Sequence, residues 1–328
     1  MARTTERPRR ASDPNSVSAL HERFTAALAS LVEQLQADRG VVGAILCGSL
    51  AHDTVWDKSD IDLVIVTTDE DRPTRTSITL DANGIHVHAL VMRRAEFRKS
   101  LEGAEHQSFD HSFMAKGRVL FTHDPALTEL HARLQEPGAR DTRLQKLRAA
   151  VSAVCCLDKA RKWLVTRHDL EYASLWLLYG ATPIARLEVI ERGLIADREV
   201  IPQASALDPP LFRTIYSDLL NTRKTDMAVR RALETADRYI RERASILFAP
   251  ILDYLDDVGE ARGCSELESH FSRSCDISEV TPACEYLAHE GLIGKASLPA
   301  RLTKRSNASV PELAFFAIDR ASEKAGRR

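Results

Sequence analysis

Apolar residues recur at helical spacing through residues 17–37, "VSALHERFTAALASLVEQLQA", and the pattern stops ahead of Arg39-Gly40. The run that follows, "VVGAILC" (41–47), is apolar without alternation, the mark of a strand covered on both faces. "DIDLVIVTT" (60–68) predicts a second strand. "TSITLDANGIHVHALVM" (76–92) predicts a hairpin, two β-rich arms around the turn pair Asn83-Gly84. A helix over about 94–115, a short strand at "RVLFTHD" (118–124) and a helix after Pro125 complete an α/β unit spanning 16–135.

The pattern changes at "EPGARDTR" (136–143), which has the composition of a linker. From 143 to 247 every segment reads as helix: two long ones, antiparallel about His168-Asp169, and two more near 209–222 and 226–247. Residues 248–320 differ again, with three short helical patterns followed by two strand-like arms, the order of a winged helix. The expected architecture is a short mixed sheet with helices, then an all-helical domain, then a winged-helix-like module. A disordered basic tail (1–15) precedes them and a short tail (321–328) follows.

Composition narrows the class. At 328 residues, 44% hydrophobic and 28% charged, the chain is that of a soluble globular protein of two or three domains. A net charge of −2 argues against binding nucleic acid over the whole surface. No apolar run approaches the roughly 18 residues of a membrane span, and the N-terminus has no apolar core of a secretory signal. The six cysteines form no C-x-x-C pair, which argues for reduced thiols over a zinc knuckle. The expectation is a cytoplasmic protein that makes no membrane contact.

Candidate chemistry lies in "LCGSLAHDTVWDKSDIDLVIV" (46–66). Strand side chains alternate, so Asp60 and Asp62 share a face about 7 Å apart, while Ile61 and Leu63 face the core. Two carboxylates on one face repel, and burial adds to the cost. A divalent cation such as Mg²⁺ or Mn²⁺ removes that cost and takes up substrate phosphates. Gly48 lets backbone approach a phosphate closely, and Ser49 can cap the short helix "SLAHDTV" and reach a phosphate oxygen.

"GSLAHDTVWDKSDIDL" resembles the G-S-x₁₀-D-x-D signature of the DNA polymerase beta-like nucleotidyltransferase superfamily. It is most similar to the bacterial branch of aminoglycoside and minimal nucleotidyltransferases, and Thr54 and Ser59 match that branch too. Four fixed positions at roughly 5–7% each recur by chance about once in 100,000 starts. The resemblance covers about 17–135. It implies metal held by Asp60 and Asp62, NTP phosphates held by Gly48, Ser49, Thr54 and Ser59, and transfer of a nucleoside monophosphate with release of pyrophosphate. ATP is the expected donor, and the acceptor is a hydroxyl of a small molecule, a protein or an RNA.

The family also carries a third carboxylate on a later strand, and here the strand "GIHVHALVM" offers His86 and His88 on one face instead. Three readings stay open: a histidine replaces the acid, the site binds nucleotide with little activity, or the acid comes from elsewhere. His52, His106, His111 and His123 lack the fixed short spacings of a metallohydrolase. Arg161 and His168 have the R-x₆-H spacing of HEPN ribonucleases, a pair that recurs easily in Arg-rich helices. In 248–320, the expected reading helix (276–290) carries Asp276, Glu279, Glu285 and Glu290 with no Lys or Arg. Phosphate contact supplies most DNA affinity, so this charge favours a protein partner or structural role, with Lys295, Arg301, Lys304 and Arg305 as the possible nucleic-acid contact. The competing function is a nucleotide-binding regulator of the toxin–antitoxin or transcription type.

Overall fold

A computed structural model describes residues 14–52, 54–70, 76–103, 113–134, 139–303, 305 and 307–318. Residues 1–13 of the expected tail 1–15, the expected tail 321–328, residues 136–138 of the expected linker, His106, His111 and Lys304 lie outside the described residues, while 14–15 and 139–143, expected as tail and linker, begin helices. The chain divides into two compact units, Met1–Pro137 and Gly138–Arg328.

The first unit is built on a five-stranded sheet: β1 Val41–Cys47, β2 Ile61–Thr67, β3 Ser77–Ala82, β4 Ile85–Arg93 and β5 Arg118–Thr122, in the order β3-β4-β2-β1-β5. β2 runs parallel to β4, and the other neighbours are antiparallel. The apolar runs become the inner strands β1 and β2, as a strand covered on both faces requires. Helix Pro14–Ala37 sets Phe24, Ala27 and Leu28 into a core with Leu46, Leu63, Ile65 and Val87. The β3–β4 turn has positive φ at both Asn83 (53°) and Gly84 (77°), the requirement that makes Asn-Gly a hairpin signal. Asp81 Oδ1 locks that turn by accepting from the Gly84 N–H at 2.7 Å.

β4 alternates strictly at its start. Ile85, Val87 and Ala89 are buried, while His86, His88 and Leu90 are exposed. The sheet therefore keeps one face of its β3–β4 edge uncovered. The helix expected over 94–115 begins at Arg94 and runs to Gly103, and the stretch to 112 lies outside the described residues.

In the second unit, helices Ala139–Arg167 and Leu170–Glu191 form the expected antiparallel pair. His168 turns the chain at φ 53°, and Asp169 caps the second helix by accepting from the Tyr172 N–H at 2.9 Å. Helix Val200–Leu207 falls within the block expected to be all-helical, outside the four helices placed there. The stretch expected as one helix near 209–222 is two short helices around a π turn, Arg213–Ser217. Helix Asp226–Leu247 is amphipathic and lays its apolar side on the pair.

Beyond it come helix Ala249–Val258, the two-residue strand β6 Arg262–Gly263, helices Cys264–Cys275 and Val280–His289, and strands β7 Ile293–Arg301 and β8 Ser309–Ala317, in a sheet of order β6-β8-β7. These elements and the helical block share one hydrophobic core, which runs from Leu147 through Phe212, Phe248 and Phe271 to Phe315. Among the described residues no helix is long and apolar enough to cross a membrane.

One polar contact is buried in this core. Glu188, 3% exposed, accepts from the Tyr239 hydroxyl at 3.0 Å and pairs with Arg192 at 2.8 Å. Burial, then the charge of Glu188, pushes the Tyr239 phenol well above its ordinary range, so it stays a donor. Tyr239→Phe keeps the ring under the Arg243 guanidinium, 4.0 Å away, and loses the hydroxyl. Urea unfolding should show a loss of about 1.5 kcal/mol, the scale of a hydrogen bond to a charged acceptor. Ending the chain at Leu247 strips Phe248, Ile251, Leu255 and Phe271 from the shared core. We expect that truncation to leave 138–247 without a cooperative thermal transition by circular dichroism.

Candidate active site

β2 emerges from the core at its first residues. On the face opposite the helix-covered core, Val66 and Val64 are fully buried, the Asp62 side chain is 21% exposed, and Asp60, one residue ahead of the strand, is exposed. Asp60 is thus a loop residue at the strand entrance, whereas Asp62 belongs to the sheet. Asp62 is paired in register with Cys47 on β1 and with His88 on β4.

β1 ends at Cys47, and Gly48 opens a four-residue helical turn, Gly48–Ala51, at φ +67°. A methyl group on Gly48 would fall 2.0 Å from Asp62 Oδ2, so the carboxylate lies against bare backbone. This close approach joins the two halves of the sequence motif. Beside it the buried Cys47 thiol is pushed up to about 12, first by desolvation and then by the charge of Asp62, and it stays neutral at physiological pH.

The loop between motif halves is tied to the Ser49 carbonyl, which accepts from the N–H groups of His52 (3.2 Å) and Thr54 (3.0 Å) and from Thr54 Oγ1 (3.3 Å). At its other end Ser59 Oγ accepts from the Trp56 N–H at 3.1 Å. The hydroxyls of Thr54 and Ser59 therefore close the loop that delivers Asp60. Trp56 stands 60% exposed on that loop, with Lys58 Nζ 5.8 Å from its ring.

His88 Nδ1 lies 3.6 Å from Asp62 Oδ1, and His88 Nε2 lies 3.1 Å from Ser77 Oγ on β3. His86 shares the exposed face but pairs in register with Asp81 on the hairpin. Of the two histidines, only His88 is brought to the aspartate. Ser77 was not singled out in the sequence, although its place was countable: a two-residue turn pairs Ala82 with Ile85 and Thr79 with His88, which sets Ser77 diagonal to that histidine. Among the described residues no three His, Cys, Asp or Glu side chains form a ready metal cluster. Arg161 is held by Asp158 at 2.7 Å and Asp237 at 2.5 Å, a structural assignment for the Arg of the R-x₆-H pair.

An α/β sheet whose first strand ends in a Gly-Ser turn against an Asp-x-Asp strand defines a nucleotidyltransferase-type fold. Residues 30–126 match the family described as "Polymerase beta, Nucleotidyltransferase", and this part of the chain belongs to the polymerase beta-like nucleotidyltransferase superfamily. Among solved structures, a nucleotidyltransferase-like protein from Exiguobacterium sibiricum 255-15 is similar at 18% identity and a TM-score of 0.57. The match covers 90% of this chain and 100% of that one, a likeness of fold that takes in both units. No curated protein matches the chain.

Gly48→Ala and Gly84→Ala separate backbone strain from collision. Both positions have positive φ, but nothing lies within 4 Å of an added methyl at Gly84. Each substitution should cost about 1–2 kcal/mol for the left-handed backbone. In chemical unfolding, Gly48→Ala should lose measurably more, because Asp62 must also move.

Proposed function

We propose that the first unit transfers a nucleoside monophosphate, AMP by preference, from an NTP to a hydroxyl and releases pyrophosphate. The observation that carries this reading is the Asp62 carboxylate lying against Gly48 where β2 leaves the core. A nonpolar or neutral residue would suit that strand better unless the charge were used.

Two hard carboxylates, one half-buried and one exposed, suit a divalent cation, which would take water and phosphate oxygen as its other donors. Mg²⁺ or Mn²⁺ held by Asp60 and Asp62 would supply neutralisation of the polyphosphate charge as pyrophosphate departs. The chain's own residues do the rest. Gly48 leaves room for the Asp62 carboxylate against the backbone, and the Ser49 hydroxyl offers a hydrogen bond to a phosphate. Thr54 and Ser59 act on this site through the loop, by fixing where Asp60 stands. His88 stands where its strand register puts it beside Asp62, and it takes the proton of the attacking hydroxyl in place of a third carboxylate. Catalysis is then chiefly positioning and charge neutralisation.

The second unit supports a different role from the DNA reader its element order suggests. In the winged-helix reading, Val280–His289 is the recognition helix. Its Thr281 is held by Glu268 through both N–H (2.8 Å) and hydroxyl (2.7 Å), Glu285 pairs with Lys295, and Glu290 pairs with Arg241 at 3.2 Å. Tyr286 packs on Phe248 at 5.8 Å between ring centroids. A helix so engaged inside its own unit favours a structural or protein-contact module over groove reading.

The test is pyrophosphate release from the full-length protein with each of the four NTPs and Mg²⁺ or Mn²⁺. Asp60→Asn and Asp62→Asn should each lower the rate by at least about 100-fold, as expected when a group that stabilises transition-state charge is removed. They should do so with unchanged far-ultraviolet circular dichroism. Equal turnover in wild type and both variants would remove the assignment.

A further inference from the structure

We infer that Ser77 is a nucleotidyl acceptor: the protein modifies its own chain at this serine. The inference rests on the transferase reading above and names its acceptor. Ser77 is exposed, on β3, the edge strand of the sheet, and it lies on the face that carries His86, His88 and Asp62. Its hydroxyl lies 3.1 Å from His88 Nε2, within hydrogen-bond reach of a base.

The tautomer of His88 sets the direction of that bond. His88 Nδ1 is 3.6 Å from Asp62 Oδ1, too long for a hydrogen bond. With the ring proton on Nδ1, Nε2 presents its lone pair to the Ser77 hydroxyl. An acceptor from solution would have to displace Ser77 from the base. Nucleophile, base and carboxylate thus come from three adjacent strands, β3, β4 and β2, in that order.

The step balances without any redox change. Ser77 Oγ forms a bond to the α-phosphorus of the NTP, and the bond from that phosphorus to the bridging oxygen of the β-phosphate breaks. Pyrophosphate leaves with the electron pair, and the hydroxyl proton passes to His88 Nε2. The product is a phosphodiester between Ser77 and the nucleoside.

Full-length protein is incubated with each NTP and Mg²⁺ or Mn²⁺, its intact mass is measured, and the adduct is located by peptide fragmentation. Pyrophosphate is assayed in the same tubes. The expected result is a gain of one nucleoside monophosphate on Ser77, lost in Ser77→Ala and in Asp62→Asn. A metal-free readout accompanies it. Histidine ring ¹⁵N spectra should show His88 with its proton on Nδ1 in the wild type, and Ser77→Ala should shift the Nε2 resonance. Pyrophosphate release with no adduct, or with the adduct on Thr79 or another residue, overturns the inference and leaves the transferase reading standing. Absence of pyrophosphate with all four NTPs overturns both. A His88 Nε2 resonance indifferent to Ser77→Ala also overturns the inference, whatever the mass shows.

Discussion

The approach of the Asp62 carboxylate to the bare backbone of Gly48 is the constraint around which the first unit is arranged. A charged oxygen in a strand whose other inward residues are Val64 and Val66 is costly unless it has both room and solvent. Room comes from a residue without Cβ that also accepts φ +67°. Solvent comes from the position of Asp62 near the strand's start, where burial falls away toward Asp60. Moving the aspartate two residues along β2 would place it at Val64, which is fully buried. The spacing of the motif is therefore a statement about where a strand leaves its core.

The uncovered β3–β4 face follows from the same arrangement. Antiparallel strands tolerate one wet face when side chains alternate, and β4 does so with His86 and His88 outward and Ile85, Val87 and Ala89 inward. β3 contributes Ser77, Thr79 and Asp81 to that wet side. Parallel pairing of β4 with β2 then fixes which histidine meets the aspartate. A slip of two residues would preserve every inward side chain and would bring His86 to Asp62 instead. The hairpin turn, pinned by Asp81 and Gly84, holds that register. Asp81, the one acid of that hairpin, is committed to the turn.

Much of this was legible in the sequence because it is local. The Asn-Gly turn, the period-two alternation of β4 and the ten-residue gap between Gly48-Ser49 and Asp60 are each readable within a short window. The unread features are non-local or short. The Ser77–His88 contact crosses between strands on a diagonal, and the helix Val200–Leu207 is only eight residues long. The break of 209–221 into short helices around a π turn leaves no clear mark in the apolar pattern. The seam expected near 247 is absent from the packing, because Phe248, Ile251 and Leu255 join the core of the helices before them. Composition marks a change of pattern there, and burial ignores it.

The acidic helix of the second unit shows how a charge count and a charge map differ. Glu285 on Val280–His289 and Glu290 at its C-terminal cap suggest repulsion from phosphate when counted along the chain. In the fold, one pairs with Lys295 of the adjoining strand and the other with Arg241 from the helical block. Surface pairs of this kind contribute little stability each, on the order of 0–1 kcal/mol. Their consequence is geometric: Glu285 occupies Lys295, the cation that would otherwise head the basic ribbon of β7, and Glu290 ties the end of the helix to Arg241. The same residues that make the helix acidic thus also withdraw a positive charge from the wing. The Glu285–Lys295 pair cancels one charge of each sign, so neither the helix's repulsion nor the ribbon's attraction for phosphate follows from the count alone.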